Sequence, residues 1–378
     1  MNVVETLETL VAINSISSRA NAPVIELLTA RCERAGLRVS QHPYLDERGI
    51  EKINMIACSP DASMANGTPD VELALVGHTD TVPFANTWTD ALRLTERDGK
   101  LYGRGACDTK GFIAAALTAI ECIELERLRR PLALVFTADE EVGCFGAKRL
   151  EEARALNVRY SIVGEPTSLQ PMRAGKGYCL AEAIVRGREG HSAYPALGAS
   201  AIFRAARLIA RIERIAEELK AETQAAFDPP YTTLNVGLLN GGTAKNIIAG
   251  ECRFTLEWRP VPNQKADHAL ELVRAAIEDE RRIDPDFDCE INASRIDEGT
   301  ETPADSPLVQ LLEQATGQSA GTVAFGTEAP QMAALGAHAV ILGPGNIRVA
   351  HRTDEFVPIE DLQRCVAILK NAIEHFCF

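Results

Sequence analysis

Val3, Val4, Leu7, Leu10 and Val11 return every three or four residues, the spacing that lines one side of a helix, so the chain is expected to open with an amphipathic helix. A second helix is predicted from Pro23, whose fixed φ suits a first helical turn, to Gly36, where a left-handed residue can stop it. Beyond it the pattern shortens. Residues 53–58, 71–77, 132–137 and 160–163 are short, largely apolar runs that read as buried strands, and 111–125 and 145–156 read as helices between them. Such alternation implies an α/β domain of three layers with a mostly parallel sheet. Ligands of such sheets collect at the carboxyl ends of the strands, where His78, Asp80, Glu140, Glu141 and Glu165 all fall.

From about residue 178 the order changes: a strand (179–186), a long helix (199–220), strands near 232–239 and 251–258, a helix (266–281) and a strand (288–293). That order predicts a small α+β sandwich with an antiparallel sheet and two helices. Another apolar run at 337–342 and then His351 follow it, so the first domain must resume. The expected organisation is a catalytic, metal-binding domain over 1–177 and 295–378 with a second domain, 178–294, inserted into it. There is no internal repeat and no low-complexity tract.

A length of 378 residues suits two domains rather than one core. The net charge of −14 would repel a phosphate backbone or an anionic membrane surface, which argues against nucleic acid and membrane partners. No apolar stretch approaches the ~20 residues needed to cross a bilayer, and the start of the chain does not read as a secretory or transit signal. The ten cysteines are scattered singly with no Cys-x-x-Cys pair, which suits reduced thiols in a cytoplasmic protein.

Neutral imidazoles and ionised carboxylates are ligands that zinc and its neighbours accept, and an ordered series of them at strand ends points to a metal-dependent hydrolase. His78 and Asp80, two residues apart at a strand end, share a face, so His78 can bind metal while Asp80 steadies the ring or its surroundings; a buried histidine paired with an acid is the plainer reading. Asp108 lies in a glycine-rich turn, Gly103-Arg104-Gly105-Ala106-Cys107-Asp108, and could instead cap the helix that follows. Adjacent acids leaving a strand point different ways, so one of Glu140 and Glu141 can bind metal while the other faces a water as general base; a solvated acidic turn is the alternative. Glu165 precedes Pro166 where a strand stops, and His351 follows the abrupt Gly343-Pro344-Gly345 loop. The remaining histidines His42, His268, His338 and His375 lack such acidic company. No Gly-x-Gly-x-x-Gly follows the first strand, which disfavours a dinucleotide enzyme.

Taken together, Gly77-His78-Thr79-Asp80-Thr81-Val82-Pro83, Gly103-Arg104-Gly105 with Asp108, Asp139-Glu140-Glu141, Gly164-Glu165-Pro166-Thr167 and Gly190-His191-Ser192 resemble the M20 metallopeptidase-like amidohydrolases over essentially the whole chain. The resemblance implies a zinc-exopeptidase-like catalytic domain with an inserted lid and dimerisation domain, and two divalent ions, zinc or cobalt. It places one ion on His78 and Glu165 and the other on Glu141 and His351, with Asp108 bridging them. Glu140 becomes the general base and Asp80 the support for His78. It further implies a homodimer in which His191 reaches the partner's active site, and Asn246 and Arg259 as grips for a substrate carboxylate, although Arg259 could equally form a surface ion pair. Glu328, in Thr327-Glu328-Ala329-Pro330, is carried with them as a substrate contact. The loops Gly241-Gly242-Thr243 and Leu342-Gly343-Pro344-Gly345 are similar to the branch that hydrolyses the acetyl amide of N2-acetyl-L-ornithine. Succinyl-diaminopimelate, acetylcitrulline or a dipeptide are the alternative small-molecule substrates, and a metal-binding homologue without catalysis the remote one. Thr109, Leu197 and Ser200 depart from residues usual in that branch, and none is a ligand.

Overall fold

A computed structural model gives the fold and describes residues 2–65 and 68–378. The chain forms two compact units, one from Met1–Ala174, Glu301–Gly321 and Thr327–Phe378, the other from Gly175–Thr300 and Thr322–Gly326.

In the first unit the opening helix, Val3–Val11, is closed by a capping box in which the Asn2 side chain accepts from the Glu5 amide and the Glu5 carboxylate accepts from the Asn2 amide. The main sheet runs, in spatial order, Arg38–Leu45, Glu51–Cys58, Leu132–Thr137, Thr68–His78, Asn157–Val163, His338–Ile341 and Met172–Gly175. Its four central strands, from Leu132–Thr137 to His338–Ile341, pair in parallel, whereas Glu51–Cys58 pairs antiparallel with Leu132–Thr137 and with Arg38–Leu45 outside it. The expectation of a mostly parallel sheet therefore holds for the centre and fails at this edge. The turn Asp46–Ile50, closed by the Asp46 carbonyl and carboxylate, is too short for the crossover that parallel strands need.

Both faces of the central strands are covered, which makes the three layers. Leu73, Leu75, Leu132, Leu134, Phe136 and Ile162 join the core beneath helices Lys110–Glu121 and Ile359–Cys377, while the alternate residues Ala74, Val76, Ala133 and Val135 are equally buried on the opposite face. Helices Phe145–Glu152 and Ala329–Ala334 pack on that side of the unit. Burial on both faces is why these strands read as unbroken apolar runs.

The second unit is a four-stranded antiparallel sheet, ordered Thr233–Gly241, Glu251–Arg259, Tyr178–Arg186 and Asp288–Asp297. Every second residue of the central strands is buried, Cys179, Ala181, Ala183 and Val185 on one and Cys252, Phe254, Leu256 and Trp258 on its neighbour, against helices Ala201–Glu218 and His268–Ile283. The α+β sandwich expected from the residue pattern is the architecture observed. Among the described residues no helix is long and apolar enough to cross a membrane, and none of the ten cysteines is in a disulfide.

Candidate metal centre

The first unit brings His78, Asp108, Glu140, Glu141, Glu165 and His351 together at the carboxyl ends of its parallel strands. His78 is the last residue of its strand and Thr137 the last of the neighbour beside it, in register with it. Glu140 and Glu141 therefore enter the space above the His78 ring. Glu165 arrives two residues after the strand on the other side, Asn157–Val163. Gly343 lets the following chain pass close to it: a Cβ there would lie 2.6 Å from the Glu165 carbonyl oxygen.

Asp108 links the two histidines. Its Oδ1 lies 3.1 Å from His78 Nε2, and its Oδ2 lies 3.1 Å from His351 Nε2. His351 Nε2 is also 2.9 Å from Glu141 Oε2. Ligand atoms of His78, Glu140 and Glu165 lie within 4.8 Å of one another, and so do those of His78, Asp108 and Glu141. The capping alternative for Asp108 falls away: helix Lys110–Glu121 begins after Thr109 without a side-chain cap, and the Asp108 carboxylate faces the histidines. Glu140, expected to stand free of the ligands, borders the same space as His78 and Glu165, with Oε2 4.0 Å from His78 Nε2.

Asp80 meets both the His78 ring and its surroundings. The His78 Nδ1 is 3.0 Å from the Asp80 backbone carbonyl and 3.6 Å from its carboxylate. A proton on Nδ1 donated to that carbonyl would leave Nε2 to face the cluster. The Asp80 carboxylate instead accepts from the amides of Glu140 (3.1 Å) and Glu141 (3.3 Å) and from Ser17 Oγ (2.7 Å). It thus orients the two glutamates through their backbone. The residue before them, Asp139, holds a left-handed φ of 57°. It is fixed by a buried ion pair with Lys52 (2.8 Å) and by the Tyr44 hydroxyl (2.8 Å). Ser17, Lys52 and Tyr44 carried no signal in the sequence, because a serine loop and an edge hairpin look like ordinary surface.

The electrostatics of this pocket call for cations. Burial pushes Glu140 up to about 8, with Glu141 and Glu328 adding to the rise, and pushes Glu165 well above the carboxylate range, with Asp108 and Glu140 reinforcing it. Glu141 is raised by burial too, and its Oε1 has no hydrogen-bond partner. Asp108 moves the other way: burial works against its charge, but the hydrogen bonds from His351 and His78 outweigh it and hold the carboxyl below its usual range. His351, hydrogen-bonded by Asp108 and Glu141, is pushed up to about 10. Several buried carboxylates crowded on two imidazoles are costly unless positive charge lies among them, and a donor set of nitrogen and carboxylate oxygen fits two divalent ions.

Of the other residues singled out in the sequence, Glu328 lies close enough to act on Glu140 and His78, and the rest are in the second unit. Glu328 belongs to the first unit but is only 1% exposed, pushed up to about 7 by burial. His191, Asn246 and Arg259 belong to the second unit. His191 and Asn246 are exposed neighbours: strand Gly190–His191 pairs with Ile247–Ile248, and the Asn246 carbonyl accepts from the Ser192 amide. Arg259 shows the ion pair given as its alternative, 2.6 Å from Glu257, and also donates to the Ala324 carbonyl and lies over the Tyr178 ring.

A buried acidic cage at the strand ends of a three-layer domain, with a smaller sandwich inserted, defines a class of metal-dependent hydrolases. The chain belongs to peptidase family M20/M25/M40, whose sequence profile matches residues 74–375. Among its relatives, an acetylornithine deacetylase of Myxococcus xanthus is 52% identical over 98% of this chain and 97% of that protein. One from Salmonella arizonae is 36% identical over 99% and 98%. The fold is similar to that of the aminopeptidase PepT of Bacillus cereus, with a TM-score of 0.79 at 22% identity over 99% of this chain and 98% of that one.

Proposed function

We propose that this chain hydrolyses the acetyl amide of N2-acetyl-L-ornithine, giving L-ornithine and acetate. The observation that carries the chemistry is the single carboxylate of Asp108 placed between His78 and His351 with Glu140 beside them; the names of the 52% and 36% identical relatives carry the substrate. His78 and Glu165 would hold one divalent ion, zinc or cobalt, Glu141 and His351 the other, and Asp108 both. Such ions, when bound, supply a water acidified to a pKa of about 7 and a polarised acyl oxygen.

The chain's own groups do the proton transfers. Glu140 takes a proton from the attacking water and delivers it to the amine nitrogen as the C–N bond breaks. Its burial suits this exchange, because a desolvated carboxylate holds a proton more tightly than one in water. Asp80 keeps Glu140 and Glu141 aimed through their amides. We further propose a cytoplasmic homodimer in which His191 of each subunit serves its partner's site. Tyr194, Leu197, Ile202, Phe203, Leu238 and Leu239 are all exposed on the second unit, an apolar content that suits a subunit contact. Ten cysteines outside any disulfide suit a reducing compartment.

Purified protein loaded with zinc, tested on a panel of N-acyl amino acids and dipeptides, is expected to release amine fastest from N2-acetylornithine. Glu140→Gln is expected to keep its zinc and lose about 10²- to 10⁴-fold in turnover. Undiminished turnover in that variant would refute the role given to Glu140.

A further inference from the structure

Glu355 is fully buried, although it ends the polar run Arg352-Thr353-Asp354-Glu355. Nothing in the chemistry above uses it. Its Oε1 accepts two backbone amides at once, from Cys107 at 2.9 Å and Asp108 at 3.0 Å. The Gly103 amide donates to its backbone carbonyl at 3.1 Å. Its other oxygen, Oε2, pairs with Arg104, itself 2% exposed. Four contacts therefore tie the 103–108 turn to one residue. That residue follows His351 by four positions, and His351 meets Asp108 from the same loop.

We infer that Glu355 is a positioning residue for the metal centre: it holds the Asp108 turn and the His351 loop in one register, so that the Asp108 carboxylate can serve both histidines. This rests on the reading of the cluster as a metal site. The Asp108 carboxylate meets His78 at the end of its strand, whereas the Asp108 amide is held by a glutamate 247 residues further along the chain. If those two amides lose their acceptor, they are left buried without a partner and the turn must shift to find one. A carboxylate that has to meet two ligand sets tolerates little such shift. Arg104 neutralises Glu355 and so permits its burial, but does not itself touch the ligands named above.

The test is zinc binding, measured by competition with a chromophoric chelator, on the full chain after metal removal, with thermal melting of the metal-free protein alongside. Glu355→Ala is expected to fold and to bind zinc about 10- to 100-fold more weakly, the range usual for losing a group that orients a ligand. Glu355→Gln keeps an oxygen acceptor for both amides and is expected to recover most of the wild-type affinity. Should Glu355→Ala fail to fold, Glu355→Asp takes its place: one methylene shorter, it cannot hold both amides and Arg104 together, and the same weakening is expected. Wild-type zinc affinity in the folded Ala or Asp variant would overturn the inference, as would a Gln variant as weak as Ala, since charge and not the amide clamp would then be what matters. If the wild type itself binds no zinc, the reading of the cluster fails and this inference with it; if the wild type binds and the variants match it, this inference fails alone.

Discussion

His78 and His351 touch opposite oxygens of the same carboxylate, yet their surroundings differ sharply: the His78 side chain is 1% exposed and that of His351 is 53% exposed. His78 is delivered by a strand buried on both faces, with the Asp80 carbonyl holding one ring nitrogen. His351 sits on a loop with a left-handed φ of 62° and its ring is oriented by Asp108 and Glu141. One half of the cage is thus made by the sheet and exists as a consequence of folding. The other half is made by its ligands and their backbone supports.

Removing what the halves share should have the largest effect. Asp108→Ala is expected to abolish zinc binding at the shared position and bring turnover down to background, checked by metal analysis and acetate release; retention of two zinc ions and activity would mean the halves are independent. The single histidines should then separate the halves. His78→Ala leaves a hole among buried carboxylates and is expected to cost the metal-free protein about 2–4 kcal/mol in urea unfolding, besides losing metal. His351→Ala removes a half-exposed ring and is expected to cost the metal-free fold under about 1 kcal/mol while still losing one ion. Equal destabilisation by the two would erase the distinction drawn between them.

The same asymmetry decided what could be read in the sequence. His78 and Glu165 announce themselves because each closely follows an apolar run, and a buried parallel strand writes that run plainly. The four-stranded sandwich was equally legible from the order of its strands and helices, and every second residue of Tyr178–Arg186 is buried in it. The edge strand Arg38–Leu45 was not, since its residues are mostly exposed and its apolar positions few. Helices Pro307–Thr316 and Ile359–Cys377 also went unread, although both pack into the main core. Glu355 was invisible for a different reason: an acid in a polar run looks solvated, and only the tertiary fold turns it inward to the Asp108 amides. Asp80 shows the same limit more mildly. Two-residue spacing put it beside His78, but it could not reveal that its carboxylate would be spent on the backbone of Glu140 and Glu141.

The effect expected to leave the metal ligands untouched concerns the cost of burial on the His78 side. Burial pushes Glu328 up to about 7 from an ordinary 4.5, with His78 working against the rise. The folded state therefore holds that proton more tightly than the unfolded chain does. Its contribution is fully present below pH 4.5, declines as the pH climbs from there to about 7, and is level above, where a buried charge has been formed. Glu328→Gln keeps the shape without the charge. In metal-free protein it should match the wild type near pH 4.5 and exceed it at pH 8 by on the order of 1–3 kcal/mol, read from urea unfolding at the two pH values. A difference that stays constant with pH would mean that the glutamate is ionised at no cost, and that the His78 half is less secluded from water than its exposure implies.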